Sequence, residues 1–135
     1  MSRVVGLGLD LVHVPRFAAA LERHGEAFVR RICRPGEPRG AVRDELRTLH
    51  LAGLFAAKEA TMKALGTGWA DGVGFQQIEI VRDAAGAPAL RLHGRAAARA
   101  DELGVSSHRV SISHDGQSAA AVVILEGGRQ EEPNG

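Results

Sequence analysis

The stretch Leu46-Arg47-Thr48-Leu49-His50-Leu51-Ala52-Gly53-Leu54-Phe55-Ala56-Ala57-Lys58-Glu59-Ala60-Thr61-Met62-Lys63-Ala64-Leu65-Gly66 (residues 46–66) decides the fold class. Leu46, Leu49, Gly53, Ala56, Ala60 and Ala64 recur at spacings of three and four, one face of a helix running from about 42 to 65. Most of that stripe is Gly or Ala, so the helix axis can approach a neighbour closely, as it does against a sheet. Gly66 supplies the helix stop. Glu59 and Lys63, one turn apart, share an adjacent face.

Upstream, residues 3–14 read as a strand, mostly Val and Leu with glycines. Period two puts Gly6, Gly8 and Asp10 on one face and Val5, Leu7, Leu9 and Leu11 on the other. Pro15 then starts a helix carrying Phe17, Leu21 and His24 on one side and Arg16 and Arg23 on another. Gly25 breaks that helix, and a second short one runs to about Cys33. Residues 34–40 form a loop with two Pro and two Gly.

Downstream, Gly66-Thr67-Gly68 and Gly72-Val73-Gly74 mark a connection. Strands at about 75–82 and 89–93 follow, then an alanine-rich helix over 94–103 ended by Gly104. Strands at about 108–114 and 118–126 are joined by a turn at Asp115-Gly116. The order predicts an α+β fold: a single compact domain over 1–126, with helices packed on a largely antiparallel sheet. Residues 127–135 read as a polar, disordered tail.

The 135 residues suffice for one core. Four Phe, one Trp and no Tyr predict that this core is aliphatic and rich in alanine. One cysteine, Cys33, excludes an intrachain disulfide framework. Neither a signal peptide nor a membrane span is read in the N-terminal region, so a cytoplasmic setting is expected. Residues 1–70 carry net charge +4 and residues 71–135 carry −3, so the N-terminal half is suited to an acidic partner. Near-zero total charge and few aromatics argue against nucleic acid.

Three places hold chemistry. Asp10 sits late in an apolar strand, where it either caps the next helix or meets a partner. Glu59 is either half of a surface pair with Lys63 or a metal ligand. Taken with Asp10, it gives two hard oxygen donors from different elements, the usual hold on Mg²⁺ when water and phosphate complete the shell. Lys58 and Lys63, which flank Glu59, are the only lysines in a chain that otherwise uses Arg. Ser111-Ile112-Ser113-His114-Asp115 ends a strand, with His114 at the edge of an apolar face. The histidines have no zinc spacing.

These blocks resemble the holo-[acyl-carrier-protein] synthases. Gly6 to Val12 is similar to their Gly-Ile-Gly-Ile-Asp-Ile-Val opening. Phe55 to Gly68 resembles their most diagnostic block, Phe-Ala-Ala-Lys-Glu-Ala followed by Lys-Ala-Leu-Gly-Thr-Gly. Val110 to Asp115 resembles the third, Val-Ser-Leu-Ser-His-Asp. The resemblance implies transfer of 4′-phosphopantetheine from coenzyme A to a serine of an acidic apo acyl carrier protein. It implies Mg²⁺ on Asp10 and Glu59, Lys63 near the reacting phosphate, and His114 in the coenzyme and serine pocket. Lys58, Gly66, Thr67, Gly68, Ser111 and Ser113 are placed near the coenzyme. Arg16, by resemblance, and Arg23, on the same basic helix, face the carrier. A homotrimer with active sites at subunit interfaces is implied as well.

Three departures stand out: Leu54 replaces an Arg that helps bind the coenzyme 3′-phosphate, His13 replaces a Glu, and the wording of the 34–40 loop differs. Two other classes fit the same residues, a non-catalytic coenzyme or carrier binding module and a Mg²⁺-dependent pyrophosphate hydrolase. The base that takes the serine proton is left open among Glu59, His114 and Lys63, as is the pathway of the carrier.

Overall fold

The computed structural model describes residues 2–37, 44–67 and 71–128. In chain order the elements are β1 (Ser2–His13), α1 (Val14–Ile32), α2 (Asp44–Leu65), β2 (Ile78–Arg82), β3 (Pro88–Leu92), α3 (Gly94–Leu103), β4 (Val105–His114) and β5 (Ser118–Gly128). A single 3-10 turn, Phe75–Gln77, leads into β2. The order and the α+β class match the expectation. The strands form two antiparallel sheets, β1-β5-β4 and the hairpin β2-β3.

The helix over 46–65 packs mainly on β1 and β5, as its small-residue stripe requires. Ala56, Ala60 and Ala64 are buried. The glycines of β1 are the other half of this contact. A Cβ on Gly8 would lie 1.8 Å from the Ala60 carbonyl oxygen, and one on Gly6 would lie 2.3 Å from that of Ala64. No side chain fits there. The gap beside Asp10 is therefore filled by the backbone of α2, and this close approach brings Glu59 and Lys63 to β1.

Alternation on β1 holds from Gly6 onward. A bulge between Val4 and Gly6 resets it, so Val5, placed by period two on the face of Leu7, Leu9 and Leu11, instead packs on the core. Leu7, Leu9 and Leu11 point away from α2 and are 63–70 % exposed. Their partners on β5 are Ile124, Val122 and Ala120, which extend an apolar outer face.

Gly25 kinks α1 with φ 58° and ψ −145°, and Pro15 sits in its first turn. The helix start has no side-chain cap, so Asp10 does not serve as one. Gly104, at φ 75°, ends α3 in the left-handed region. Asp115 accepts from the backbone N–H groups of Gln117 and Ser118 at 2.9 and 2.8 Å, closing the β4–β5 turn.

The core is aliphatic and alanine-rich in its bulk. The four phenylalanines do not scatter through it: Phe28, Phe17, Phe55 and Phe75 form one run of ring contacts with centroids 5.3–5.6 Å apart. Strand β5 continues to Gly128, so residues 127 and 128, assigned from sequence to the tail, are strand. The rest of the expected tail, 129–135, lies outside the described residues.

Candidate active site

Asp10, Glu59 and Lys63 meet where α2 crosses β1. Lys63 does not pair with Glu59, its neighbour on the helix. Its Nζ donates instead to Asp10 Oδ1 at 3.1 Å and to the Leu9 carbonyl at 3.0 Å. Asp10 keeps 14 % of its side chain exposed and Lys63 keeps 54 %. Glu59 makes no hydrogen bond among the described residues. Its carboxyl is pushed above the ordinary carboxylate value by burial first and the Asp10 charge second, with Lys63 partly offsetting both. A carboxylate raised in this way beside a second acid marks a place that attracts a cation.

The pair suits Mg²⁺, which takes hard oxygen donors and fills its remaining positions with water or phosphate. No group of three or more His, Cys, Asp or Glu side chains converges among the described residues.

Two cavities adjoin Glu59. One, about 290 Å³, is lined by Asp10, His13, Arg16, Phe17, Phe28 and Phe55 beside it. The other, about 560 Å³, is lined by His24, Phe28, Arg31, Phe55 and Phe75. Glu59 thus sits between two cavities that share an aromatic wall, with Arg16 lining one and Arg31 the other. The aromatic wall was invisible in the sequence, where the phenylalanines are 11 to 27 residues apart. Arg23 is exposed on α1.

Lys58 was expected near the coenzyme. Its side chain is fully buried, and its Nζ donates to the Ile32 carbonyl (2.7 Å), Glu37 Oε1 (2.7 Å) and the Phe75 carbonyl (3.1 Å). All three N–H groups are used within the chain. Burial lowers the Lys58 pKa, and the Glu37 bond and charge oppose that. Glu37 also accepts from the backbone N–H of Arg34 at 2.5 Å and of Ile80 at 2.9 Å. The pair ties the end of α1, α2, the 3-10 turn and β2 together at the residue preceding Glu59. Sequence reasoning missed Glu37; the signal was the one acid in a loop of Pro, Gly and Arg.

His114 lies elsewhere. In the sheet register it aligns with Ala119 and, through it, with Val12, two strands from β1 and so about 10 Å away. It lines a separate cavity with His50, Leu54 and Arg82. Ser111 and Ser113 are exposed on the outer sheet face, opposite Val122 and Ala120. One chain does not bring these three residues to the Asp10–Glu59 pair.

Gly66 ends α2 at φ 69°, about 10 Å along the helix from Glu59. Arg99 caps this end by donating to the Leu65 carbonyl at 3.0 Å. The Thr67 hydroxyl is buried with no partner among the described residues, and Gly68 lies outside them. Leu54 is 3 % exposed. Cys33 is buried, and burial pushes its thiol up to about 11.

Residues 6–123 match the family model of the 4′-phosphopantetheinyl transferase superfamily. The holo-[acyl-carrier-protein] synthase of Solidesulfovibrio magneticus is 56% identical over 122 residues, 90% of this chain and 98% of that protein. The crystal structure of the Plasmodium yoelii synthase superposes with a TM-score of 0.82 at 28% identity, over 96% of this chain and 99% of that one. The Bacillus anthracis synthase, solved in complex with CoA (3′,5′-ADP), gives 0.76 at 32% identity, over 93% and 98%. With the carboxylate pair and its lysine in two of the three blocks, the chain belongs to the holo-[acyl-carrier-protein] synthases of the 4′-phosphopantetheinyl transferase superfamily.

Proposed function

We propose that this protein transfers 4′-phosphopantetheine from coenzyme A to a serine of an apo acyl carrier protein, and that Asp10, Glu59 and Lys63 carry the reaction. The observation that carries the residue assignment is the meeting of those three side chains, with Asp10 and Glu59 lining a cleft walled by phenylalanine. The serine oxygen bonds to the phosphorus that bears the pantetheine arm. The bond from that phosphorus to the bridging oxygen breaks, and adenosine 3′,5′-bisphosphate leaves with the electron pair.

Mg²⁺ held by Asp10 and Glu59 would neutralise charge that builds on the pyrophosphate. Lys63, anchored by Asp10 and the Leu9 carbonyl, keeps one further N–H for a phosphate oxygen. The aromatic wall excludes water and so favours transfer to serine over hydrolysis. Glu59 and His114 remain the groups able to accept the serine proton.

His114, Ser111 and Ser113 lie away from the carboxylate pair within one chain. Self-association through the apolar face of Leu7, Leu9, Leu11, Val122 and Ile124 would place a neighbour's β4 against β1, which supports a homotrimer with shared sites. On α1, Arg16 and Arg23 offer an acidic carrier a basic approach beside the cleft. Replacing both by Glu should slow modification more at low salt than at high salt; an equal loss at both would count against this face. No helix among the described residues is long and apolar enough to cross a membrane. We read the enzyme as working in the cytoplasm.

Intact-mass spectrometry of apo carrier incubated with the protein, coenzyme A and Mg²⁺, with a chelated control, tests the activity. The expected result is a phosphopantetheine gain that chelation abolishes and that Glu59→Gln greatly reduces. Near-normal turnover by Glu59→Gln at saturating Mg²⁺ would sink the residue assignment. Coenzyme binding without any transfer would restore the binding-module reading.

A further inference from the structure

Lys58 is a charged side chain that the proposed reaction does not use, and none of its surface is exposed. A cation is kept in such a place only where its partners offset the loss of water. Here each of its three N–H groups has one: the Ile32 carbonyl, the Phe75 carbonyl and Glu37 Oε1. None is left for a phosphate.

The position of each partner points to a role. Ile32 ends α1, where carbonyls lack intrahelical donors and a cation is favoured. Phe75 opens the 3-10 turn. Both residues line the 560 Å³ cavity, together with Phe55 and Glu59. Consecutive residues of a helix point about 100° apart, so Lys58 reaches behind that cavity while Glu59 lines it. One ammonium thus ties two sides of the cavity to the turn of α2 that carries Glu59. Glu37 secures the ammonium in turn, since its two oxygens also accept from the Arg34 and Ile80 N–H groups.

We propose that Lys58 is a positioning residue: with Glu37 it holds the Ile32 and Phe75 sides of the cavity in place against Glu59, and it touches neither coenzyme nor carrier. This rests on the transferase reading and deepens it.

Lys58→Met tests it, under conditions where urea curves show the variant folded. Misplacing the cavity wall should lower kcat about 10–100-fold, while KM for coenzyme A and its calorimetric affinity in chelator stay within about twofold of native. Cys33, buried and next to Ile32, reports on the wall without any turnover. Its labelling should speed up at least about tenfold in Lys58→Met, at a rate that low urea does not change, the mark of local opening. Arg47→Ala breaks a more exposed bridge between the same two helices, to Glu26 at 2.9 Å, and should do neither. If Lys58→Met fails to fold, Glu37→Gln takes its place. That variant keeps an oxygen for the ammonium and sets an amide against the Ile80 N–H, so kcat should fall about 3–10-fold, again with the coenzyme affinity unchanged. Coenzyme affinity that falls about tenfold with kcat unchanged overturns the proposal, because Lys58 is then a ligand. Native kcat and native labelling in the variant overturn it as well. Faster labelling of Cys33 in a protein that transfers nothing would support the tie at Lys58 and refute the transferase reading.

Discussion

Removing the Glu37 carboxylate should strip the buried Lys58 of its counter-charge. The two side chains are 3 % and 0 % exposed and 2.7 Å apart. In Glu37→Ala the ammonium keeps two carbonyl acceptors and loses the carboxylate, while the Arg34 and Ile80 N–H groups also lose their acceptor. Breaking one side of a buried pair typically costs about 3–5 kcal/mol. That is a large share of the roughly 5–15 kcal/mol that holds a domain together. For a chain of this length, about 3–5 °C of Tm goes with each kcal/mol, so a fall of roughly 10–20 °C is expected. Urea denaturation at neutral pH reads the loss directly. The double variant Glu37→Leu with Lys58→Met should recover only part of it: an apolar pair avoids burying either charge, but the Arg34 and Ile80 N–H groups stay without their acceptor. A loss below about 1 kcal/mol, the scale of exposed pairs, would mean that water relieves Lys58. Lys58→Met would then be expected to raise KM for coenzyme A without changing stability, and the ligand role expected from sequence would stand.

The remaining predictions concern other parts of the molecule. Cys33 should resist alkylation near pH 8 in the folded protein, since burial holds its pKa at about 11; labelling should follow unfolding, and rapid labelling in native buffer would refute the packing. Because the folded-state pKa of Glu59 is raised, its contribution to stability is present below the unfolded value of 4.5 and is lost as pH rises through the folded value. In chelator, native protein should therefore lose stability relative to Glu59→Gln as pH rises above 4.5. Asp10→Asn should shrink that difference by removing a like charge; parallel curves for native protein and Glu59→Gln would exclude the coupling. Leu9→Glu, placed on the exposed apolar face, should shift light-scattering mass toward the single chain and reduce carrier modification together. Reduced mass with full activity would show that one chain completes its own site.

What the sequence disclosed and what it hid divide along a physical line. Gly6, Gly8 and the Ala stripe of α2 are legible because close packing forbids side chains at fixed periods, and period survives in one dimension. Asp10 and Glu59 follow from the same fact: the two elements that must touch are the ones that carry the carboxylates. The partner of Lys63 was not legible, since spacing offered Glu59 and tertiary structure supplied Asp10 and a backbone carbonyl. Lys58 and Glu37 were hidden for the same reason, as were the four phenylalanines, whose contacts join α1, α2 and the 3-10 turn. His114 marks a further limit. Its block reads as part of one active site, yet β5 and the body of α2 separate it from Glu59 within the chain. A motif records which residues act together without recording how many subunits bring them together. On the self-association proposed above, the exposed leucines of β1 carry that missing information, for an apolar strand face left open beside the carboxylate pair is where a second chain would dock.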